Sequence, residues 1–254
     1  MSGRRVVTWH TPDISADGLK NFACGMMLLH TAGIAVVERG LIHIDQYTQE
    51  AFSRLLAEDS HMMLLAGIGS VLQLLGGLSV PLFAFLLVEG FLHTSDFRRY
   101  LCSLLLFAAI SEIPYDLANY GRLFCMKGQN ALFSMAVGLL MLYFLQMFSE
   151  KRGIAGFFFK ALIVGGAVAW VTFLRAGYGF CLVLLAAVFF LLYGKNGWKT
   201  VLGIVISLLY VTGPLAFYGI WCYNEKRTDR IPKYVYYLFY PLHLLLLGGV
   251  SMLL

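Results

Sequence analysis

From His61 to Leu92 the chain carries a single Asp, Glu, Lys or Arg, which is Glu89. A helix needs about 20 apolar residues to cross a hydrocarbon layer roughly 30 Å thick. Lipid offers no hydrogen-bond partner, so a crossing segment must satisfy its own backbone as a helix or within a closed barrel. This run is longer than one straight crossing requires, and Gly76-Gly77 and Pro81 divide it. One reading is a short span with a re-entrant turn. The other is a single long helix kinked at Pro81, which is preferred because proline removes a backbone hydrogen bond. Apolar runs recur along the whole chain: 59% of residues are hydrophobic and only 13% charged, against about 25% charged in an ordinary soluble domain. The expected fold is all-α, a polytopic transmembrane helix bundle of about eight crossings, forming one membrane-embedded domain over 1–254. No polar stretch is long enough to fold as a separate catalytic module.

Taken in order, residues 1–16 read as an N-terminal cytoplasmic segment, and the long apolar stretch after it as an uncleaved first span. Helix 1 is expected from Asp17 to Val37, with Asp17 as its N-cap. Residues 38–60 form an interfacial loop in which Tyr47, Ala51, Phe52, Leu55 and Leu56 share one face of a short surface helix. After the kinked second helix, helix 3 is expected from Tyr100 to Ile113, stopping before Pro114. Helix 4 runs over Asn130–Phe148, helix 5 over Gly156–Leu174 and helix 6 over Tyr178–Tyr193. Helix 7 runs over Lys199–Tyr223 with Pro214 inside it, and helix 8 from Lys233 to the end. Lys and Arg divide almost equally between the two sides, with Lys151, Arg152 and Lys160 among those assigned to the inside. Arg4 and Arg5 ahead of the first span favour an inside N-terminus.

The net charge of +5 belongs to loops beside a lipid bilayer and does not mark a nucleic-acid face. The five cysteines, Cys24, Cys102, Cys125, Cys181 and Cys222, show no CxxC and no histidine at metal-ligand spacing. They read as reduced packing residues, and no metal site is expected.

Polar side chains inside the apolar runs are the candidate site residues. A carboxylate at the centre of a membrane helix costs about 2.5 kcal/mol or more. Glu89 and His93 are one helical turn apart and share a face, and Arg98 and Arg99 follow at the water line. Glu112 and Asp116 flank Pro114 on the next helix. Glu89 is either part of a site or simply paired with His93 or Arg98 near its helix end. His30 and His243 each lie about ten residues into the first and last spans, roughly 15 Å deep. Either they serve proton transfer near neutral pH, or each bonds a neighbouring carbonyl and locks packing. The matched depth leads to the expectation that the first and last helices touch, with both rings facing the interior of one site. Tyr236, Tyr237 and Tyr240 suit an interfacial belt, Tyr240 being the least ordinary because it precedes Pro241 and sits one turn from His243. Asn130 is either a helix cap or a site residue.

The stretch PLFAFLLVEGFLHTSDFRRYLCSLLLFAAISEIPYDLA resembles the TraX family of integral membrane proteins. Three further blocks agree: Lys20 in the first helix, Asn130-Ala131-Leu132-Phe133, and Tyr237-Leu238-Phe239-Tyr240-Pro241-Leu242-His243-Leu244. The resemblance implies a relation to acetylation, since the founding member is associated with N-terminal acetylation of conjugative pilin. It also implies kinship with membrane acyltransferases that use acyl-CoA, in which a basic residue and a histidine mark helix 1, as Lys20 and His30 do here. The spacing between those two is one residue shorter than the usual pattern. Leu29 stands where an Asp is common, and Gly76-Gly77 where Gly-Arg is common.

The expected function is therefore membrane acyl transfer, with acetyl-CoA as donor and a peptide N-terminus or a glycan hydroxyl as acceptor, in a multi-pass protein of the bacterial plasma membrane. Lys20, Arg98 and Arg99 would hold the phosphates of the acyl-CoA, with Asn130 and Tyr240 as further binding residues. His30 first, then His243, would act as base. Glu89 would orient a histidine, and His93 is the nearest one. The alternative is a non-enzymatic transporter or assembly factor, because buried Glu and His also suit a proton-coupled carrier.

Overall fold

A computed structural model describes residues 13–151, 153–225 and 230–254. The expectations resting on Arg4, Arg5 and Arg152, and most of the segment 1–16, lie outside the described residues. The fold expectation holds. The described residues are mostly helical, and among them two isolated backbone bridges, Ile14 with Tyr223 and Gln129 with Ala176, are the extended pairings. Five helical stretches are long and apolar enough to cross a membrane: Ala16–Leu41, Ser60–Leu92, Phe97–Tyr120, Gly153–Phe173 and Lys233–Leu253. Two shorter apolar helices, Ala131–Met147 and Gly179–Leu191, accompany them.

The first span starts as α1, Ala16–Ala32. Ser15, not Asp17, is its N-cap, the serine hydroxyl accepting the Gly18 N–H at 3.3 Å. Asp17 lies inside the first turn, where a carboxylate meets the positive end of the helix dipole. Beyond Ala32 the helix widens to π-type over Gly33–Leu41, past the expected end at Val37. The interfacial segment forms α2, Gln49–Glu58, capped by Thr48. Phe52, Leu55 and Leu56 on it are partly buried, while Ala51 is exposed.

The long apolar run is one kinked span, as preferred, but the kink is not at Pro81. It consists of α3, Ser60–Gly76, and α4, Ser79–Leu92, with the break at Gly77-Leu78. Pro81 falls in the first turn of α4, where no N–H is required of it. His30 of α1 approaches closely just before the break. A side chain on Gly76 would collide with the His30 Cβ and ring, so a glycine must stand where α1 and α3 meet.

Helix α5, Phe97–Tyr120, is longer than expected at both ends. Asp96 caps its start, accepting the Arg99 N–H at 2.9 Å. It runs straight through the buried Pro114 and ends at Gly121 in the left-handed region, φ 61°. A proline inside a membrane helix is tolerated where neighbouring helices enclose the freed carbonyl. Helices α6, Ala131–Met147, and α8, Gly179–Leu191, pack against each other, and the lipid-facing α7, Gly153–Phe173, lies against both. Phe157, Leu162 and Phe173 of α7 are exposed, as apolar groups facing hydrocarbon should be. The expected single helix over Lys199–Tyr223 is broken: α9, Asn196–Ser207, ends well before a 3₁₀ turn at Gly213–Leu215 and the short α10, Ala216–Trp221. Pro214 stands in that turn rather than inside a helix. The last helix, α11, Lys233–Leu253, packs mainly along α5 and also touches α1.

Candidate active site

Helix α6 begins deep inside the bundle. Its N-cap is Asn130, fully buried, whose side-chain oxygen accepts the Leu132 N–H at 3.1 Å. The same amide donates to the Ala108 carbonyl at 2.7 Å and to Glu112 at 2.5 Å. Ala108 is midway along α5, so the loop 121–129 folds back and places the α6 N-terminus near mid-bundle. Asn130 is thus both the cap and a tie between helices. The following Ala131 N–H donates to the Tyr240 hydroxyl oxygen at 3.2 Å. The loop before α8 is pinned beside it: the Gly177 N–H donates to the Gln129 carbonyl at 2.8 Å, and Ser134 donates to the Gly177 carbonyl at 2.7 Å.

Above these two helix starts lies a cavity of about 570 Å³. Its rim comes from the C-terminal end of α4 and the N-terminal ends of α5 and α11, with His93, Asp96, Arg99 and Lys233. Lys20 in the early turns of α1 joins them at the rim, and Cys24 of α1 and Glu89 of α4 line its wall. Ala131, Leu132, Tyr178 and Tyr240 close it deeper in. The lining mixes apolar side chains with tyrosines, and the cations gather at the mouth.

Glu89 is 8% exposed. Its carboxylate lies 3.8 Å from His93 Nδ1, as the one-turn spacing predicts. His93 Nδ1 also approaches the Glu89 carbonyl oxygen at 2.8 Å. A carbonyl only accepts, so Nδ1 carries the hydrogen and Nε2 is the basic nitrogen. The His93 side chain is 47% exposed, which leaves that nitrogen open to the cavity mouth. Lys20 pairs with Asp17 at 3.2 Å and lies over the Tyr236 ring, 5.2 Å from its centre. Arg99 donates to the Tyr234 hydroxyl at 3.0 Å.

Of the residues singled out in the sequence, Lys20, Glu89, His93, Arg99 and Tyr240 line this cavity. His30, His243, Arg98 and Asn130 are not among its lining residues. His30 and His243, expected to face the interior of one site, therefore do not meet in this cavity. Helices α1 and α11 do touch: Tyr236 donates to the Asn21 side-chain oxygen at 3.0 Å, and deeper in the span Thr31 lies 3.4 Å from His243. His243 is 5% exposed, and its Nδ1 donates to the Phe239 carbonyl at 2.9 Å. His30 turns towards α3 instead, its Nδ1 donating to the Gln73 carbonyl at 3.3 Å. Both deep histidines bond a backbone carbonyl, the packing alternative raised for them. Arg98 is exposed.

The sequence reading missed Lys233, Cys24 and Tyr178 in the lining. Lys233 had a signal, a lone cation opening an apolar helix. Tyr178 had a weaker one, a polar aromatic directly after the Arg175-Ala176-Gly177 turn. Cys24 had none, being one cysteine among several in apolar runs. Among the described residues no group of three or more His, Cys, Asp or Glu side chains has metal-site geometry.

The family model described as TraX protein matches residues 19–251. A protein of Dichelobacter nodosus described as "Probable fimbrial assembly protein FimC, serogroup H1" is 30% identical over 204 residues, covering 72% of this chain and 84% of the relative. No solved structure matches.

Proposed function

The chain belongs to the TraX family, and from that premise we propose that it is a membrane acyltransferase moving an acetyl group from acetyl-CoA to an amine or a hydroxyl. One observation carries the reading: a tyrosine-lined cavity inside the bundle, cationic at its mouth, with a carboxylate–imidazole pair on its wall. Lys20, Arg99 and Lys233 at the mouth suit the phosphates of CoA, which charge-assisted hydrogen bonds from Lys and Arg hold well. The acyl-pantetheine arm then enters the cavity.

The acceptor must present a lone pair to the thioester carbon, so a base has to remove its proton. His93 fits that task better than His30 or His243. Its Nε2 is the basic nitrogen and opens to the cavity mouth. Glu89 beside Nδ1 stabilises the imidazolium that forms, as a carboxylate does in a hydrolase triad. The relative named as a fimbrial assembly protein supports an acceptor that is a subunit of a surface fibre, modified at its N-terminal amine. It equally favours a second reading, a non-enzymatic assembly factor. The proposed location is the bacterial plasma membrane.

The experiment is to purify the protein into lipid nanodiscs and supply labelled acetyl-CoA with an amine-bearing peptide. Label in the peptide is the expected result. Proton-coupled uptake into vesicles without any transfer would replace the reading with a carrier, and neither activity would favour the assembly factor.

A further inference from the structure

Two tyrosine hydroxyls stand at the deep end of the cavity, and their protons are differently placed. Ser79 donates to the Gly76 carbonyl at 2.7 Å. A hydroxyl has one hydrogen, so in its 3.0 Å contact with Tyr178 the serine accepts and Tyr178 donates. The Tyr178 proton is thereby fixed on Ser79. Tyr240 is the reverse case. Its oxygen accepts the Ala131 N–H at 3.2 Å, and among the described residues no hydrogen bond takes up its own proton. The Ala131 N–H belongs to the first turn of α6, where unsatisfied amides carry the positive end of the helix dipole. Accepting from such an amide polarises the Tyr240 O–H and makes it a stronger donor. Tyr240 and Ala131 both line the cavity, and Tyr240 is 6% exposed, so this donor works in a poorly solvated place where a hydrogen bond to developing charge counts most.

We propose that Tyr240 is the oxyanion donor of the reaction, its O–H binding the carbonyl oxygen of the acyl thioester. The assignment rests on the acyl-transfer reading. The lone pair of the acceptor forms a bond to the carbonyl carbon, and the C=O π pair moves onto oxygen, where Tyr240 holds it. The pair returns as the C–S bond breaks, and CoA leaves as the thiolate. The proton that His93 took from the acceptor then passes to that sulfur. His93 directly follows α4 and Tyr240 lies seven residues into α11, and both helix ends rim the mouth. At 1.5 Å per residue their Cα atoms start about 12 Å apart in depth, a gap that the imidazole, the phenol and a thioester between them span.

The test uses Tyr240→Phe in the full-length protein in nanodiscs, with carbonyl-labelled acetyl-CoA as probe. Transfer should fall by about 100-fold or more, while acetyl-CoA affinity should stay within about twofold, the loss falling in kcat. The infrared carbonyl stretch of the bound thioester should lie lower in the wild type than in the variant. Tyr240→Phe also removes the partner of the Ala131 N–H. If that variant does not fold, fluorotyrosine at position 240 keeps both hydrogen bonds and carries the test. Its more acidic hydroxyl should lower the bound carbonyl stretch further. An unchanged rate and an unchanged stretch in the variant that folds would overturn the assignment and leave acyl transfer standing. A wild type that binds no acetyl-CoA would overturn both.

Discussion

His93 and His243 have the same local geometry: each donates from Nδ1 to the carbonyl one turn back on its own helix, at 2.8 and 2.9 Å. What surrounds the other nitrogen differs. At the cavity rim, His93 has Glu89 beside Nδ1 and its side chain is half exposed. In the α1–α11 seam, His243 Nε2 is set against Thr31, whose hydroxyl also donates to the Met27 carbonyl at 3.1 Å. Phe239 stacks on the His243 ring at 4.9 Å, and Tyr240 meets it edge-on at 5.6 Å. The rim leaves a basic nitrogen open to a reactant, while in the seam Nδ1 bonds within α11 and Nε2 is covered by Thr31 of α1. A polar residue deep in a membrane span is therefore not by itself a catalytic signal. The state of its second hydrogen-bonding atom decides.

The largest effect should come from the rim. His93→Ala should lower acetyl transfer by about 100-fold or more, measured per folded protein, with acetyl-CoA affinity little changed. A wild-type rate in that variant would erase the distinction between rim and seam. In the seam, His243→Ala should act on stability instead. Loss of the buried ring and of the Thr31 contact should cost about 2–4 kcal/mol in reversible unfolding, with the surviving protein still transferring acetyl. Loss of transfer without loss of stability would move the base to the seam. Gly76→Ala should cost roughly 1–3 kcal/mol, because the new methyl meets His30 and the helix break must shift. Asn130→Ala removes a cap and a tie between α5 and α6 and should cost about 1–2 kcal/mol by the same assay. An unaltered melting curve for either would show that the break or the α6 start is held by something else.

Much of the fold was legible because a membrane span is a local property, set by the length and apolarity of one segment. The pairing of Glu89 with His93 was legible for the same reason, since one helical turn fixes it. Depth could also be read, and His30 and His243 do lie deep in their spans. Direction could not. Each residue turns a helix by about 100°, so adjacent His30 and Thr31 face different neighbours, and only Thr31 meets α11. The helix ends went wrong where tertiary context overrides a local breaker, as when α5 passes through Pro114. The fold-back of the loop 121–129, which sets the start of α6 at mid-bundle, depends on Asn130 reaching Ala108 and Glu112. That contact joins residues on different helices and leaves no mark in local sequence.

The central claim is that the cavity is an acyl-CoA site with its cations at the mouth. Equilibrium binding of labelled acetyl-CoA to the purified protein in nanodiscs tests it most directly, with Arg98→Ala as an internal control because that exposed side chain lies outside the lining. Saturable binding is predicted, weakened about tenfold or more when Lys20→Ala and Arg99→Ala are combined, from the loss of two charge-assisted contacts, and unchanged by Arg98→Ala. Absence of saturable binding, or equal weakening by Arg98→Ala alone, would contradict the account.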